Sequence, residues 1–192
     1  TVADQARCVL QLHGLQQQNL IMLSKQSMTL VRLLPDEELY QTVKEIGKDD
    51  AVPLIAVCSQ KQLQFMFDME WWKADKFSPE RALEWITLVN EANDQQLLHW
   101  FYTEDFDQKV MVLQALIKVY KRDDMTDDYE NVENLKHFTP DGVYDIYFKD
   151  EEAEQTLTRI FKLLYSGHQK LFHSLMEGVI WYGVTPTVEQ AY

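Results

Sequence analysis

The chain contains little glycine, proline or cysteine, with 6, 5 and 2 residues of each type among its 192. So few glycines and prolines argue against an all-β protein, because such proteins need these residues in many tight turns. Two cysteines do not make the disulfide framework of a secreted protein, so we expect a reducing compartment, the cytoplasm. Both Cys8 and Cys58 stand among apolar neighbours, which predicts two small buried side chains.

Positive charge is scarce as well, since 31 acidic residues outnumber 18 basic ones and the formal net charge is −13. Binding a polyanion depends on Lys and Arg releasing its counterions, so this balance argues against DNA, RNA and anionic membrane surfaces. No stretch approaches the roughly 18 uninterrupted apolar residues of a membrane span, and we expect no membrane insertion. An acidic surface favours solubility, a basic protein partner or weak binding of divalent cations.

Motifs that carry chemistry are also missing from the sequence. It contains no nucleophile elbow, Walker A loop or dinucleotide-binding glycine pattern. The five histidines form no metal-binding pair at helical spacing. Neither cysteine has a histidine in its local sequence, which weakens the case for a thiol enzyme. The sequence therefore leans away from an enzyme, and we expect no cofactor.

Abundant Leu, Gln, Glu, Lys and Ala predict a mainly α protein with long helices and short connections. Residues 1–34 form an N-terminal helical region, which Gly14 and the stretch 24–27 divide into two helices. Its helical pattern has apolar positions that include Leu15, Leu20 and Leu23, with the glutamines 16–18 among the polar positions between them.

A repeat follows in residues 35–122, where a shift of about 44 positions superimposes two copies of one helical unit. Pro79 matches Pro35 at a helix start, and Thr103 matches Ser59 as a helix N-cap. We therefore predict two three-helix repeats, which form a short α-solenoid because such units bury their apolar faces by stacking. The clearest single helix is expected over residues 104–122, with a stripe of apolar side chains along one face.

Residues 123–142 are expected to be an acidic linker, and residues 143–192 a strand followed by a helical hairpin. The single short strand covers residues 143–148, and the hairpin helices cover 151–165 and 168–182. A lone strand needs a partner, which could be a strand in missing chain, a second subunit or a short unrecognised strand nearby. Pairing of two subunits would make a homodimer through the strand 143–148. The four regions are expected to form one compact unit. We expect this unit to be part of a longer chain, because the sequence starts at Thr1 without Met.

Two groups of residues are candidates for binding. Adjacent tryptophans point about 100° apart on a helix, so one of Trp71 and Trp72 should fill a groove between the repeats. The alternative is an exposed aromatic anchor for a protein partner, because tryptophan is enriched in interface hot spots. The carboxylates of the linker could offer oxygen ligands to Mg²⁺ or Ca²⁺, but they lack the EF-hand spacing, and the sequence favours a solvated charge run over a metal site. These metal candidates are Asp123, Asp124, Asp127 and Asp128.

Four segments resemble a family of uncharacterised bacterial proteins that is known only as a domain of unknown function. They are 34–39 (LPDEEL), 44–55 (KEIGKDDAVPLI), 62–70 (QLQFMFDME) and 78–86 (SPERALEWI), and the acidic stretch after Tyr120 adds to them. The resemblance spans roughly residues 30–182, and it implies a longer parent chain. The first repeat is also similar to helical repeats of MgtE-type magnesium transporters and of the flagellar switch protein FliG. That similarity implies a helical superhelix, with Mg²⁺-responsive acidic faces in the transporter, and it carries over no functional residue.

Three functions remain open on this evidence. The first is a non-enzymatic protein-interaction or scaffold module whose protein partner binds at Trp71 and Trp72. The second is a divalent-cation-responsive regulatory domain that uses the acidic linker. The third is part of an enzyme that the missing chain completes.

Overall fold

The structure, a computed structural model, describes residues 2–122 and 135–182. It is mainly helical, as the sequence predicts. The helices within the described ranges are α1 Val2–Val9, α2 Gly14–Leu23, α3 Ser27–Leu33, α4 Asp36–Ile46, α5 Val52–Ile55, α6 Gln60–Glu70, α7 Pro79–Thr103, α8 Phe106–Leu116, α9 Glu151–Gly167 and α10 Gln169–Tyr182. The chain divides into two compact units, Thr1–Trp100 and Phe101–Tyr192, and each is described separately below.

In the described ranges, four short strands form two antiparallel pairs. Strand β1 (Trp72–Lys73) pairs with β2 (Lys76–Phe77) in the first unit. Strand β3 (Ile117–Lys121) pairs with β4 (Tyr144–Phe148) in the second unit. The prediction of one strand therefore identified only β4.

The N-terminal region contains three helices instead of the two that were predicted. The chain breaks where the sequence indicated, since α2 begins at Gly14 and α3 begins within the stretch 24–27. Gly14 has a φ of 53°, a left-handed conformation that a residue without a side chain adopts at little cost. The two predicted breaks therefore divide the region into three helices, the first of which ends at Val9.

The first predicted repeat is present as α4, α5 and α6. Gly47 ends α4 with a φ of 93°, and Ser59 caps α6 in a capping box with Gln62, whose side chain reaches back to the backbone N–H of Ser59. Apolar side chains of these helices build the core of this part of the unit. They include the fully buried Leu39, Val43, Leu54, Leu63, Met66 and Phe67.

The second predicted copy differs from the first, because its first two helices merge into the long helix α7. The merger has a break at Asn93, whose backbone is extended with φ −165° and ψ 93°. The Asn93 side chain caps the second half of α7 by accepting from the backbone N–H of Gln96, and it donates to the Ala56 carbonyl. The prediction of Thr103 as the next N-cap is wrong, because the Asp105 side chain caps α8 by accepting from the backbone N–H groups of residues 107 and 108.

The predicted helix over residues 104–122 ends early, at Leu116, and the chain continues as strand β3. In β3, Ile117 and Val119 are buried and Lys118 is exposed, the period of two expected for a strand. Its register places Ile117 opposite Phe148 and Lys121 opposite Tyr144. Strand β3 is therefore the nearby strand that β4 needed.

The other edge of β4 is also occupied at its centre. Phe138 and Ile146 exchange two backbone hydrogen bonds of 2.9 Å each. The backbone groups that motivated a homodimer through residues 143–148 are thus bonded within one chain at this position.

The helical hairpin is confirmed as α9 and α10, with the Asp150 side chain capping α9. The core side of α9 is fully buried, namely Leu157, Ile160, Phe161 and Leu164. On α10, Phe172, Leu175, Met176 and Val179 are buried. Gly178 lets α10 approach α8 closely, because a Cβ atom there would lie 2.6 Å from Cγ2 of Val110.

None of the helices in the described ranges combines the length and the hydropathy that are needed to cross a bilayer.

Candidate functional site

The adjacent tryptophans of the first unit lie in different environments. Trp71 follows the last residue of α6 and is completely buried, with its ring stacked on Phe67 at a centroid distance of 4.3 Å. The Trp100 ring packs edge-on against it at 5.6 Å. Trp72 begins β1, remains 39% exposed and contacts Phe77 edge-on at 5.7 Å. Trp71 therefore belongs to the core, and Trp72 is the one that a partner can reach.

Trp72 opens a tight hairpin, residues 72–77, which we name the Trp72 hairpin. Its two turn residues, Ala74 and Asp75, have φ values of 46° and 62°. Two-residue hairpin loops with positive φ at both positions favour Asn-Gly, because most side chains clash with the backbone there. Alanine in this conformation costs roughly 1–2 kcal/mol, and aspartate somewhat less. The turn is therefore built from residues that do not favour it.

The strands of the Trp72 hairpin bring two positive charges together. Lys73 and Lys76 are directly opposite each other in the register, and both are exposed. Like charges at such a cross-strand position are destabilising. Within the described ranges neither lysine has a carboxylate at ion-pair distance to offset this repulsion. The hairpin thus presents an exposed tryptophan and two lysines without an ion-pair partner among the described residues, on a chain of net charge −13.

A buried carboxylate fixes the end of α6 from which the hairpin departs. Glu70 accepts hydrogen bonds from the Tyr40 hydroxyl at 2.7 Å and from Lys44 Nζ at 2.9 Å, and its other oxygen binds Arg81. Burial raises the pKa of Glu70, but the three donors outweigh burial and hold the pKa below its ordinary value. Burial and the bond to Glu70 raise the pKa of Tyr40 to about 12. This network joins α4, α6 and the first turn of α7 immediately before Trp71.

In the second unit, two carboxylates next to the β3–β4 sheet hold histidines. Asp145 is almost fully buried and binds the Arg122 guanidinium Nε at 2.9 and 3.0 Å, with His137 Nε2 at 3.5 Å. Asp141 lies 3.0 Å from Nε2 of His173, and its other oxygen accepts backbone N–H groups of the turn before β4. Each carboxylate is therefore engaged by groups of its own unit.

A third carboxylate joins α10 to both strands. Glu177 accepts from the Tyr144 hydroxyl at 2.5 Å, from Lys121 Nζ at 3.0 Å and from the Trp181 indole at 3.1 Å. The hydrogen bond from Tyr144, with those from Lys121 and Trp181, lowers the pKa of Glu177 although burial opposes this. Burial, followed by the bond to Glu177, raises the pKa of Tyr144. The cluster stabilises the sheet against α10 and keeps Tyr144 protonated.

The predicted metal ligands Asp123, Asp124, Asp127 and Asp128 lie outside the described residues. Among the residues that are described, no three His, Cys, Asp or Glu side chains are grouped so that they could hold a metal ion. The cation-responsive alternative therefore stays a prediction from sequence.

The two cysteines differ, although the sequence predicted both to be buried. Cys58 is buried, whereas Cys8 is exposed. Burial raises the pKa of the Cys58 thiol to about 12, although a hydrogen bond from Gln96 Nε2 at 3.0 Å acts to lower it. A polar cavity of about 350 Å³ lies beside this thiol. A thiol held protonated is a poor nucleophile, so the cavity does not favour a thiol enzyme.

Helix α2 reverses the arrangement expected from its sequence, and this was missed. Its glutamines Gln17 and Gln18 are buried, whereas Leu15, Leu20 and Leu23 are exposed. The Gln17 amide donates to the Val9 carbonyl at 3.1 Å and to Glu38 at 3.4 Å, and its oxygen accepts from Thr42; Gln18 donates to the Asp50 carbonyl at 3.0 Å. Burial therefore leaves the Gln17 amide fully bonded, whereas Oε1 of Gln18 has no hydrogen-bond partner among the described residues, and it turns the three leucines outward. The only signal in the sequence was weak amphipathicity, since leucines and amides occur all around this helix.

The fold and the candidate sites define a mainly helical protein with a charged, aromatic hairpin in its first unit and a two-stranded sheet next to a helical hairpin in its second. No motif of a known catalytic class accompanies them in the sequence. The whole chain, residues 1–192, matches the model of a family of unknown function, DUF6178, and the chain belongs to that family. No curated protein and no solved structure matches it. The resemblance to MgtE-type transporters and to FliG gains no support from these comparisons.

Proposed function

We propose that this chain is a non-enzymatic protein-interaction module, and that it binds its partner through the Trp72 hairpin. The observation that carries the proposal is the convergence of three locally unfavourable features within six residues. These are an exposed tryptophan, a turn with two non-glycine residues at positive φ, and two lysines directly opposite each other. Sequences that fold well agree with local preferences at most positions, and departures concentrate where function requires them.

The environment of the hairpin supports the same proposal. A binding hairpin must keep its shape before the partner arrives, since ordering it on binding would reduce affinity. Trp71 is locked between Phe67 and Trp100, and the Ser78 N–H donates to the Trp71 carbonyl at 2.8 Å across the base of the hairpin. The rigid base therefore holds Trp72 and the two lysines in a fixed position.

The chemistry of the hairpin indicates the kind of partner. A tryptophan ring supplies a large apolar contact, and the two lysines attract carboxylates, so the matching surface is apolar with acidic residues beside it. Most of the chain carries excess negative charge, which repels an acidic surface. Such a partner is thus directed to the hairpin and turned away from other faces. We include residence in the reducing cytoplasm in the proposal, with the free thiols of Cys8 and Cys58 as its support.

The experiment that tests the proposal places a photo-crosslinking amino acid at position 73, on the hairpin. A second preparation carries it at position 170, an exposed lysine of α10 in the other unit. We expect a protein that is crosslinked from position 73 and not from position 170, and mass spectrometry identifies the attached segment. That segment should be acidic and contain apolar residues.

The captured protein is then purified, and its affinity is measured by calorimetry against matched variants. Trp72→Ala should raise the Kd by at least about thirtyfold, as expected of a hot-spot aromatic residue, whereas Trp181→Ala removes an exposed tryptophan elsewhere and should not. Lys76→Glu should weaken binding, and Lys170→Glu should not. Equal crosslinking from both positions, or full affinity in Trp72→Ala, would refute the assignment of this surface.

A further inference from the structure

Helix α2 presents an apolar surface that the described residues of its own unit leave exposed. Leu15, Leu20 and Leu23 are 57%, 38% and 85% exposed, and they occupy about 140° of the helix circumference. We define these three side chains as the leucine face. Solitary exposed leucines are ordinary, but three on one side of one helix with buried glutamines behind them form a patch.

We propose that the leucine face is the contact between two copies of this chain. The charge distribution supports a second copy as the occupant. Two chains of net charge −13 repel each other over most of their surfaces. Residues 1–34 carry one acidic residue, Asp4, against the basic residues Arg7, Lys25 and Arg32, and α2 itself has no charged residue. Two copies that approach through this region therefore avoid the repulsion between their acidic surfaces and meet only its small positive excess.

The residues of the leucine face are also suited to contact with an identical face. A two-fold interface places one surface against an identical surface, so its groups must be complementary to their own kind. Leucines meet this requirement, and so do Gln16 and Asn19, the exposed amides between them, because an amide both donates and accepts hydrogen bonds. A face of like charges would not meet it. The leucine face thus fits a second copy better than it fits a charged partner or an anionic membrane.

A recess beside the leucine face provides the shape for such a contact. A mainly apolar groove of about 250 Å³ lies among α1, α2 and α3, and Leu20 lines it together with Val9 and Leu30. Leu23, which projects farthest into solvent, can supply a side chain to the corresponding groove of the second copy. Interlocking of projecting leucines with recesses is how helical surfaces associate in water.

The oligomeric state of the intact chain tests this proposal. Analytical ultracentrifugation over a wide range of concentrations should show a monomer–dimer equilibrium. The Leu15→Glu and Leu23→Glu variants should each raise the dimer Kd by at least about a hundredfold, because each change places two charges in an apolar contact. Both side chains are exposed, so the variants should fold, and thermal melting verifies this. The matched control is Leu135→Glu, a leucine of the second unit that is also 57% exposed, and it should dimerise normally.

Added salt gives a second, independent readout. It screens the repulsion between two acidic chains and strengthens apolar contacts, so dimerisation should tighten as salt increases. A contact between opposite charges would weaken instead. The proposal is overturned if the chain is monomeric at every concentration, if the dimer persists in the Leu15→Glu/Leu23→Glu double variant, or if salt dissociates it.

Discussion

Replacing Glu70 by glutamine is the sharpest test of how the first unit holds its hairpin. The change preserves the shape of the side chain but removes the charge on which three donors converge. One of these donors, the Tyr40 hydroxyl, is buried, whereas Lys44 is about half exposed and Arg81 about one third exposed. The two cations can therefore regain water in the variant, and the buried hydroxyl cannot.

The expected loss of stability follows from these three contacts. A buried hydrogen bond to a charged acceptor contributes roughly 1.5–3 kcal/mol, and each partly exposed ion pair contributes about 0.2–1 kcal/mol. Because the glutamine oxygen still accepts one hydrogen bond, Glu70→Gln should lower the free energy of unfolding by about 2–4 kcal/mol. The matched control is Glu84→Gln, which removes an exposed carboxylate paired with Lys48 and should cost less than about 1 kcal/mol.

Urea denaturation as a function of pH measures both the size and the origin of the loss. The pKa of Glu70 is held below its ordinary value of 4.5, so its ionised form stabilises the fold fully above pH 4.5. This stabilisation disappears as the pH falls through the lowered pKa, and the difference between wild type and Glu70→Gln should shrink accordingly. A difference that does not change with pH, or a Glu70→Gln variant no less stable than Glu84→Gln, would contradict this account.

Two further substitutions probe packing, and thermal or urea unfolding measures both. Trp71→Ala should lower the free energy of unfolding by about 3–5 kcal/mol. Trp71→Phe should lower it far less, because the buried indole Nε1 has no hydrogen-bond partner among the described residues. Equal losses in the two variants would show that the indole N–H is bonded. Gly178→Ala places a Cβ atom 2.6 Å from Cγ2 of Val110 and 3.1 Å from Cζ of Phe106, so it should destabilise the fold by roughly 1–3 kcal/mol. The control Ser174→Ala, on the exposed side of the same helix, should not destabilise it. An unchanged melting temperature for Gly178→Ala would mean that α8 and α10 can separate without cost.

The sequence predicted those helices whose ends carry their own signals. Ser59 and Pro79 mark helix starts through local chemistry, and the structure confirms both. The prediction of Thr103 as an N-cap was wrong because Asp105, two residues later, is an equally competent cap. Local chemistry identified the kind of boundary there but could not choose between adjacent candidates.

Features that depend on distant partners could not be read locally. Ile117 and Tyr120 fit the helical stripe of α8, so β3 looked like its continuation, and only pairing with β4 makes it a strand. The buried Gln17 needs the Val9 carbonyl of α1 and the Glu38 and Thr42 side chains of α4, which come from two other parts of the chain.

The binding candidates illustrate the same limit. The sequence indicated that Trp71 and Trp72 cannot both be buried equally, but not which of them packs inside. Their different roles depend on Phe67 and Trp100, which fix the position of Trp71 from α6 and α7.

The pairing of β4 along both of its edges, with β3 on one side and with Phe138 on the other, has a consequence for how this protein would fail under heat. The segment 143–148, Val-Tyr-Asp-Ile-Tyr-Phe, combines β-branched and aromatic residues with a single charge, the composition of segments that stack into fibrils. In the folded chain, β3 and Phe138 occupy the backbone groups through which such stacking begins. Unfolding of the second unit releases this segment, and aggregation then competes with refolding. Recovery after heating should therefore depend strongly on protein concentration, even where the melting temperature does not.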